Sequence, residues 1–495
     1  MKFSPLAGHP DGLSNLFFTE MWERMSYYGM RAMLVLFMVS TIQDGGLGFT
    51  DRTATATYGI YTGAVYLMAL PGGWIADRLL GAQKTVLLGA IIITAGHFVL
   101  AVPGLSTFFL GLLLVVTGTG LLKPNITAIV GELYGNDDPR RDGGFTLFYM
   151  GINLGAAIGP LVCSTLAESE RFGWHWGFAA AGFGMLIGIV QFHLGKHKLG
   201  NAGLKPHNPS QSKGKHWSIV AVALATLLLI LALALAGVVQ IDAGALAVNM
   251  AFFISAVFFA YFSWVLLFGN LNSDEKRRSI LIVILTMASA VFWAGFEQAG
   301  SSLNLFAERY TLRVFGNFEI PAGWFQSLNS IFIITLAPLF SWLWVWLAKR
   351  NLNPSHPAKF ALGLIQLGLG FGIMILAANV VVAGNQAMPY FLILTYLLHT
   401  MGELCLSPVG LSAVSSLAPR KYVGQMMGCW MLSYSFGSIL AGLLAGEFDA
   451  ENVADMPDLY TQITITSILV GIFLFAIAKP LVKWSFAKSD SVAGN

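Results

Sequence analysis

Seven ionisable side chains stand in stretches that otherwise belong in a membrane: Glu20, Glu23, Arg24, Arg31, Lys123, Glu297 and Glu403. At mid-membrane each costs about 2.5–3.5 kcal/mol on insertion scales, so seven unpaired ones would cost on the order of 20 kcal/mol. They must be paired or solvated in a cavity. The stretch FFTEMWERMSYYG at 17–29 shows how pairing can begin. Glu20 and Arg24 are four apart in the favourable Glu-first order, and Arg24, Tyr28 and Arg31 continue that helix face. Glu23 and Tyr27 lie on an adjoining stripe. A packing ion pair would account for Glu20 with Arg24, but Arg31, Lys123 and Glu403 have no obvious partner in their own helices. Four carboxylates and three cations leave a charge of minus one, so one bound proton brings the set to neutrality. A zwitterionic solute would leave that balance undisturbed, its two ends held by cations and by a carboxylate.

The elements that must position these groups are helices. The chain has 495 residues and is 56% hydrophobic and 11% charged, against roughly 25% charged in a soluble domain, and its mean hydropathy is +0.69. Spans of about 20 apolar residues are helix candidates, and there are fourteen, from 14–42 at one end to 460–484 at the other. If the N-terminus is inside and each span crosses once, 21 of the 28 Lys and Arg residues fall inside, four outside (Arg52, Arg171, Arg309, Arg313) and three within spans. That is the asymmetry expected of cytoplasmic loops, and it places both ends in the cytoplasm. The inside set includes Lys2 and Lys488. The net charge of +3 thus reflects topology, and no nucleic-acid partner is indicated. Cys163, Cys405 and Cys429 have no CxxC or metal spacing and read as buried small side chains.

The strongest break in composition is KHKLGNAGLKPHNPSQSKGKH at 196–216, a basic linker containing Pro and Gly. It suggests three parts: a six-helix bundle over 1–195, the linker with two inserted helices over 196–278, and a second six-helix bundle over 279–495. The inserted pair (217–238 and 244–268) holds only Asp242, near its turn, which suits a lipid-facing or scaffolding role. The bundles echo each other: Lys123 precedes Pro124 in one, and Glu403 lies five residues before Pro408 in the other. Charged groups and helix-breaking prolines in corresponding helices point to a transporter site at a repeat interface. GGWIADRLLGAQKTV at 72–86 sets Asp77, Arg78, Gly81 and Lys84 in a short loop whose charges can latch neighbouring helix ends. FTLFYMGINLGA at 145–156 puts Tyr149 and Asn153 one turn apart, with Gly151 and Gly155 spaced as GxxxG for close helix contact. GELCLSPVGL at 402–411 sets Glu403 beside a Pro408 kink whose freed carbonyls need a polar surround.

At these residues the chain closely resembles the proton-coupled oligopeptide transporter family of the major facilitator superfamily, in its bacterial form. The pattern ExxERFxYYG is met by Glu20, Glu23, Arg24, Tyr27, Tyr28 and Gly29, with Met25 in place of Phe. The DRxxG loop, the YxGIN stretch, FWAGFEQ at 292–298 and GELCLSPVG at 402–410 also match. The resemblance implies an all-α integral membrane protein with the major facilitator fold and fourteen transmembrane helices. It implies proton-driven symport of di- and tripeptides, with the proton as coupling ion and no cofactor. Glu20, Glu23, Arg24 and Glu297 would serve coupling, Glu297 also gating with Arg31. Arg31 and Lys123 would attract the peptide carboxylate, and Glu403, Asn153 and Asn329 its ammonium. Tyr27, Tyr28, Tyr66, Tyr149, Trp293 and Trp430 would line the side-chain pockets. Asp77, Arg78, Gly81 and Lys84 would form the gating loop. A monomer in a bacterial inner membrane, contacting lipid, peptide and protons, is expected.

One departure matters: residues 53–78 hold no His, whereas the animal members carry a coupling His there, so coupling must rest on carboxylates. His97 and His399 fall in other spans. Another small solute, such as nitrate or a drug, is the alternative cargo, although a nitrate carrier has little use for Glu403. An enzyme is not expected: there is no HExxH or GxSxG, and Asp137 and Asp138 lie in a loop.

Overall fold

The computed structural model describes residues 8–135, 138–447 and 453–486; Lys2, Asp137 and Lys488 lie outside them. Among the described residues, fourteen helices of 19 to 30 residues answer the fourteen expected spans one for one. They are α1 (Asp11–Val39), α2 (Asp51–Ile75), α3 (Ala82–Leu100), α4 (Leu105–Glu132), α5 (Arg141–Ala167), α6 (Trp174–Gly195), α7 (Lys213–Leu235), α8 (Ala243–Phe268), α9 (Ser273–Phe296), α11 (Ser327–Lys349), α12 (His356–Val382), α13 (Tyr390–Leu417), α14 (Val423–Ala445) and α15 (Met456–Ser485). Hydrocarbon offers backbone groups no partner, so a spanning segment must satisfy them within itself, and a helix does. Twelve spans are apolar enough to cross a membrane by composition alone. The other two helices are α1, which carries the Glu20, Glu23, Arg24 and Arg31 charges, and α2, diluted by Thr, Tyr and Gly. The chain is a multi-pass membrane protein. α9 ends at Phe296; a 3₁₀ turn, Glu297–Gly300, follows, then the short α10 (Ser302–Tyr310) and a hairpin of two-residue strands, β1 (Val314–Phe315) and β2 (Phe318–Glu319).

The chain divides into two compact units. The first comprises Met1–Phe49, Ala64–Asp242 and Ile320–Ile331; the second Thr50–Gly63, Ala243–Glu319 and Phe332–Asn495. In the first unit the α1–α5 contact sets the geometry of the charged helix. Gly151, Gly155 and Gly159 of α5 meet the carbonyls of Phe17, Met21 and Met25 of α1, turn by turn. A methyl group at Gly155 would run into the Met21 carbonyl and the Arg24 side chain. The GxxxG expectation holds and extends one turn further than the sequence reading took it. Leu13, Leu16, Val86, Ile126, Ile129 and Phe192 pack one end of this unit into a core drawn from α1, α3, α4 and α6.

In the second unit α12 packs on α13 and α15, and α9 on α14. The first half of α2 belongs here: the Ser435 hydroxyl donates to the Gly63 carbonyl at 2.9 Å. The inserted helices differ. α7 buries no residue, whereas α8 buries Ala247, Ala251, Ile254, Phe258, Phe262 and Val265, a stripe at steps of three and four.

Candidate functional site

The α1 charges form one cluster. Glu20, Glu23 and Arg24 are 1%, 0% and 2% exposed. Arg24 Nε lies 3.2 Å from Glu20 Oε1 and also donates to Glu23 Oε2. Glu20 Oε2, Glu23 Oε1 and Arg24 Nη2 are buried without a hydrogen-bonding protein partner. The i, i+4 pair was legible; the contact with Glu23 was not, because neighbours on a helix do not normally face each other. The guanidinium turns back along α1 and divides itself between two carboxylates. Its other side lies over the Tyr27 ring, 5.0 Å from the centroid.

Further along α1, the Arg31 guanidinium sits 5.6 Å from the centroid of Tyr28, a cation–π pairing that suits a charge held out of water. The Lys123 ammonium of α4 lies 4.8 Å from the ring of Tyr66 on α2 in the same unit. Asn153 on α5 is buried, and its amide donates to the Tyr149 carbonyl at 2.9 Å, while Tyr149 itself is exposed. Asn329 lies in the Ile320–Ile331 segment of this unit, two residues after Ser327, whose hydroxyl donates to the Ala157 carbonyl of α5. Glu20, Glu23, Arg24, Tyr27, Tyr28, Arg31, Tyr66, Lys123, Tyr149, Asn153 and Asn329 thus belong to the first unit.

Glu297, Trp293, Glu403 and Trp430 belong to the second. Glu297 opens the 3₁₀ turn that ends α9 and is buried; the next residue, Gln298, donates to the Ala441 carbonyl of α14 at 3.1 Å. Trp293 packs against Tyr434 with ring centroids 4.4 Å apart. Glu403 is buried on α13, one turn before Ser407, whose hydroxyl is 3.4 Å from that of Tyr434. Trp430 is completely buried, its indole over Gly410 and 5.8 Å from the Phe360 ring. His97 and His399 are buried too, His399 against Phe371. All three cysteines are free and buried. Among the described residues no group of three His, Cys, Asp or Glu could hold a metal ion.

A family model described as the POT family matches residues 83–483. The chain belongs to the POT family. It is 42% identical to the peptide transporter YePEPT of Yersinia enterocolitica over 489 residues, covering 96% of this chain and 95% of that protein. It is 38% identical to a di-/tripeptide transporter of Lactococcus lactis over 488 residues, covering 96% of each. Its fold matches a crystal structure of the peptide transporter POT in complex with sulfate, with a TM-score of 0.89, 39% identity, and coverage of 97% of this chain and 96% of that one. Members of the family are transporters, and its solved structures have the major facilitator fold.

In this POT chain the loop motif is held differently from the sequence expectation. Asp77 and Arg78 lie in a π-helical turn, Ala76–Leu80, and Lys84 on α3. Here the turn is bonded through backbone carbonyls, Asp77 O accepting from Asn208 N and Arg78 O from Ser210 N, both at 3.0 Å. The linker docks on this turn. Gly81, with φ of 81°, leaves room for the Leu204 carbonyl. Gln83 donates to the carbonyls of Gly203 and Ala202, and Glu132 at the end of α4 accepts from Gly203 N at 2.7 Å and pairs with His207 at 2.9 Å.

Two further features escaped the sequence reading. Arg309 makes a two-pronged bridge to Asp51, at 2.6 and 2.8 Å, within the second unit. A signal for it existed: Arg309 is one of only four basic residues in the sparse loops, where a cation wants a reason to be. Glu168, at the end of α5, accepts from the backbone N–H groups of Ala322 and Gly323 at 2.8 and 3.2 Å. No spacing in the sequence announces a contact that spans 154 residues.

Proposed function

We propose that this POT chain carries di- and tripeptides inward together with protons, by alternating access, in the inner membrane of a bacterium. The observation that supports this best is the α1 cluster. Two fully buried carboxylates share one guanidinium, and each keeps an oxygen with no hydrogen-bonding protein partner. One arginine cannot neutralise two carboxylates, and like charges in one site favour protonation of one of them. The cluster therefore has a place for a single transferable proton. Downhill movement of one positive charge is driven by about 2.3 kcal/mol per 100 mV.

On this reading Glu20, Glu23 and Arg24 couple, with Glu297 in support. Arg31 and Lys123 hold the peptide carboxylate, Glu403 with Asn153 and Asn329 its ammonium, and the aromatic residues accept the side chains. Release follows when Glu20 or Glu23 gives its proton to the cytoplasm and regains its full attraction to Arg24. The bundles would be 1–195 and 279–495 with 196–278 between them, both termini would be cytoplasmic, as the 21-to-4 distribution of basic residues supports, and a monomer would suffice. No cofactor enters the cycle.

The test is uptake of labelled dialanine into proteoliposomes with and without an inward proton gradient. Gradient-driven accumulation, competed by unlabelled tripeptide, is expected. Glu20→Gln and Glu23→Gln should keep exchange and lose accumulation; full accumulation in either variant removes that residue from coupling, and in both it sinks the mechanism. Glu403→Ala should abolish peptide uptake. If it spares transport, the cargo has no ammonium and an anion such as nitrate becomes the better reading.

A further inference from the structure

A cavity of about 250 Å³ opens within the second unit between α8, α9 and α14, lined among others by Ile254, Phe258, Phe259, Met287, Ala290 and Phe436. The hydroxyls on its wall have no donor to spare. Ser255 donates to the Ala251 carbonyl, Thr286 to that of Ile282 and Ser433 to that of Trp430, each at 2.8 Å. The wall therefore offers a peptide's carbonyls no hydroxyl donor, and beyond these three hydroxyls its side chains are hydrocarbon or thioether. The mouth faces outward, where Phe259 and Met287 are each 50% exposed. It is continuous with the outer face of α8, which exposes Phe252 and Phe253 and, in a multi-pass membrane protein, lies against lipid.

Depth narrows the occupant. Ile254 is eleven residues into α8, about 17 Å at 1.5 Å per residue, near the middle of a hydrocarbon layer about 30 Å thick. The lining residues of α9 begin at Thr286 and those of α14 at Leu432, each more than two turns into its helix. Headgroups do not reach this level; acyl chain ends do. We propose that the cavity takes the terminal segment of a bilayer lipid's acyl chain. Seated there, the tail braces α8, which otherwise leans on α14 along its buried stripe, against α9. Its lining residue Ala290 stands one turn before Trp293 and its lining residue Ser433 directly before Tyr434, the two residues whose rings pack at 4.4 Å. This assigns one of the two inserted helices a task.

The test uses the full chain in vesicles of phosphatidylethanolamine and phosphatidylglycerol, with a trace of the same phospholipid carrying a diazirine near either the carbonyl or the end of one acyl chain. Labelled residues are mapped by mass spectrometry. The end-labelled probe should mark Phe259, Met287 and Phe436 more heavily than Leu228 and Leu229 of α7, which are at least as exposed, and the near-carbonyl probe should leave all three cavity residues unmarked. Ala290→Trp should remove label from Met287 and Phe436 and leave α7 as before. Should that variant fail to fold, the two probe positions on the unaltered chain decide the point. Equal labelling of α7 and the cavity would reduce the contact to ordinary bilayer and overturn the proposal. So would an absence of label at Met287 and Phe436 from both probes while α7 is marked, which would show that no acyl chain enters the mouth.

Discussion

Arg24 is the residue on which the burial of α1's carboxylates depends. Its guanidinium is bonded to both Glu20 and Glu23, and all three are out of water. Breaking a buried pair by removing one partner is destabilising by about 3–5 kcal/mol, because a charge is left uncompensated. Here Arg24→Ala would leave two. We expect it to lower the melting temperature of the detergent-purified protein sharply, whereas Glu23→Gln, which removes a charge and keeps an acceptor, should be far milder. Arg24→Lys should resemble the alanine variant, since a compact ammonium cannot reproduce a fork that serves two carboxylates. A melting temperature unmoved by Arg24→Ala would mean that the cluster is solvated and the pairing energetically idle. The i, i+4 spacing made half of this trio legible in the sequence. The other half depends on how the Arg24 side chain folds back toward its neighbour, which spacing cannot encode. Trp430 shows the same limit: the family resemblance offered it as a pocket residue, and its contacts with Gly410 and Phe360 show only in the packing.

Among the elements, helix existence was readable almost throughout, because apolar runs of membrane length permit no other backbone. The close approaches were only partly readable. GxxxG announced the α1–α5 contact, but the partner helix and the third glycine, Gly159, needed coordinates. Two glycines inside helices make a controlled comparison. A methyl at Gly155 collides with the backbone of α1, so the helices must separate; overpacking of this kind costs about 1–3 kcal/mol. A methyl at Gly372 in α12 meets nothing within 4 Å, and Ala is a better helix former than Gly by up to about 1 kcal/mol. Gly155→Ala should therefore reduce folded yield and melting temperature, and Gly372→Ala should leave them equal or higher. If both variants melt alike, the ladder is loose and does not fix α1. The inserted helices were the least legible elements: both are apolar beyond the first turn of α7, and the stripe that α8 buries is hidden in a sequence with no charged face to contrast with it.

For the whole chain, composition and charge placement carried the fold class, and the motifs carried the family. The compact units were not legible, since Thr50–Gly63 and Ile320–Ile331 join units other than those of the helices around them in sequence. Shape decides such exchanges: Gly59 and Gly63 of α2 meet α14 at Gly442 and Ile439. The linker was legible as a break but not as a docked strap. Its central contact is Gly203, with φ of 66°, where a methyl would approach Ile129 at 2.7 Å and Ala82 at 2.9 Å. Gly203→Ala adds that collision to a left-handed conformation costing roughly 1–2 kcal/mol for a residue with a Cβ. Glu132→Ala removes the carboxylate that Gly203 N and His207 share, a charged hydrogen bond of about 1.5–3 kcal/mol. Either change should free the strap without melting the helices. Trypsin reports this directly: Lys198 precedes Leu199, which is buried in the core, and Lys213 opens α7 at the strap's far end. Both bonds should be cut faster in the two variants while helical circular dichroism stays constant. Unchanged cleavage would mean that the contacts with Asp77, Arg78 and Gln83 hold the linker alone, and a loss of helix would mean that the strap is part of the core of its unit.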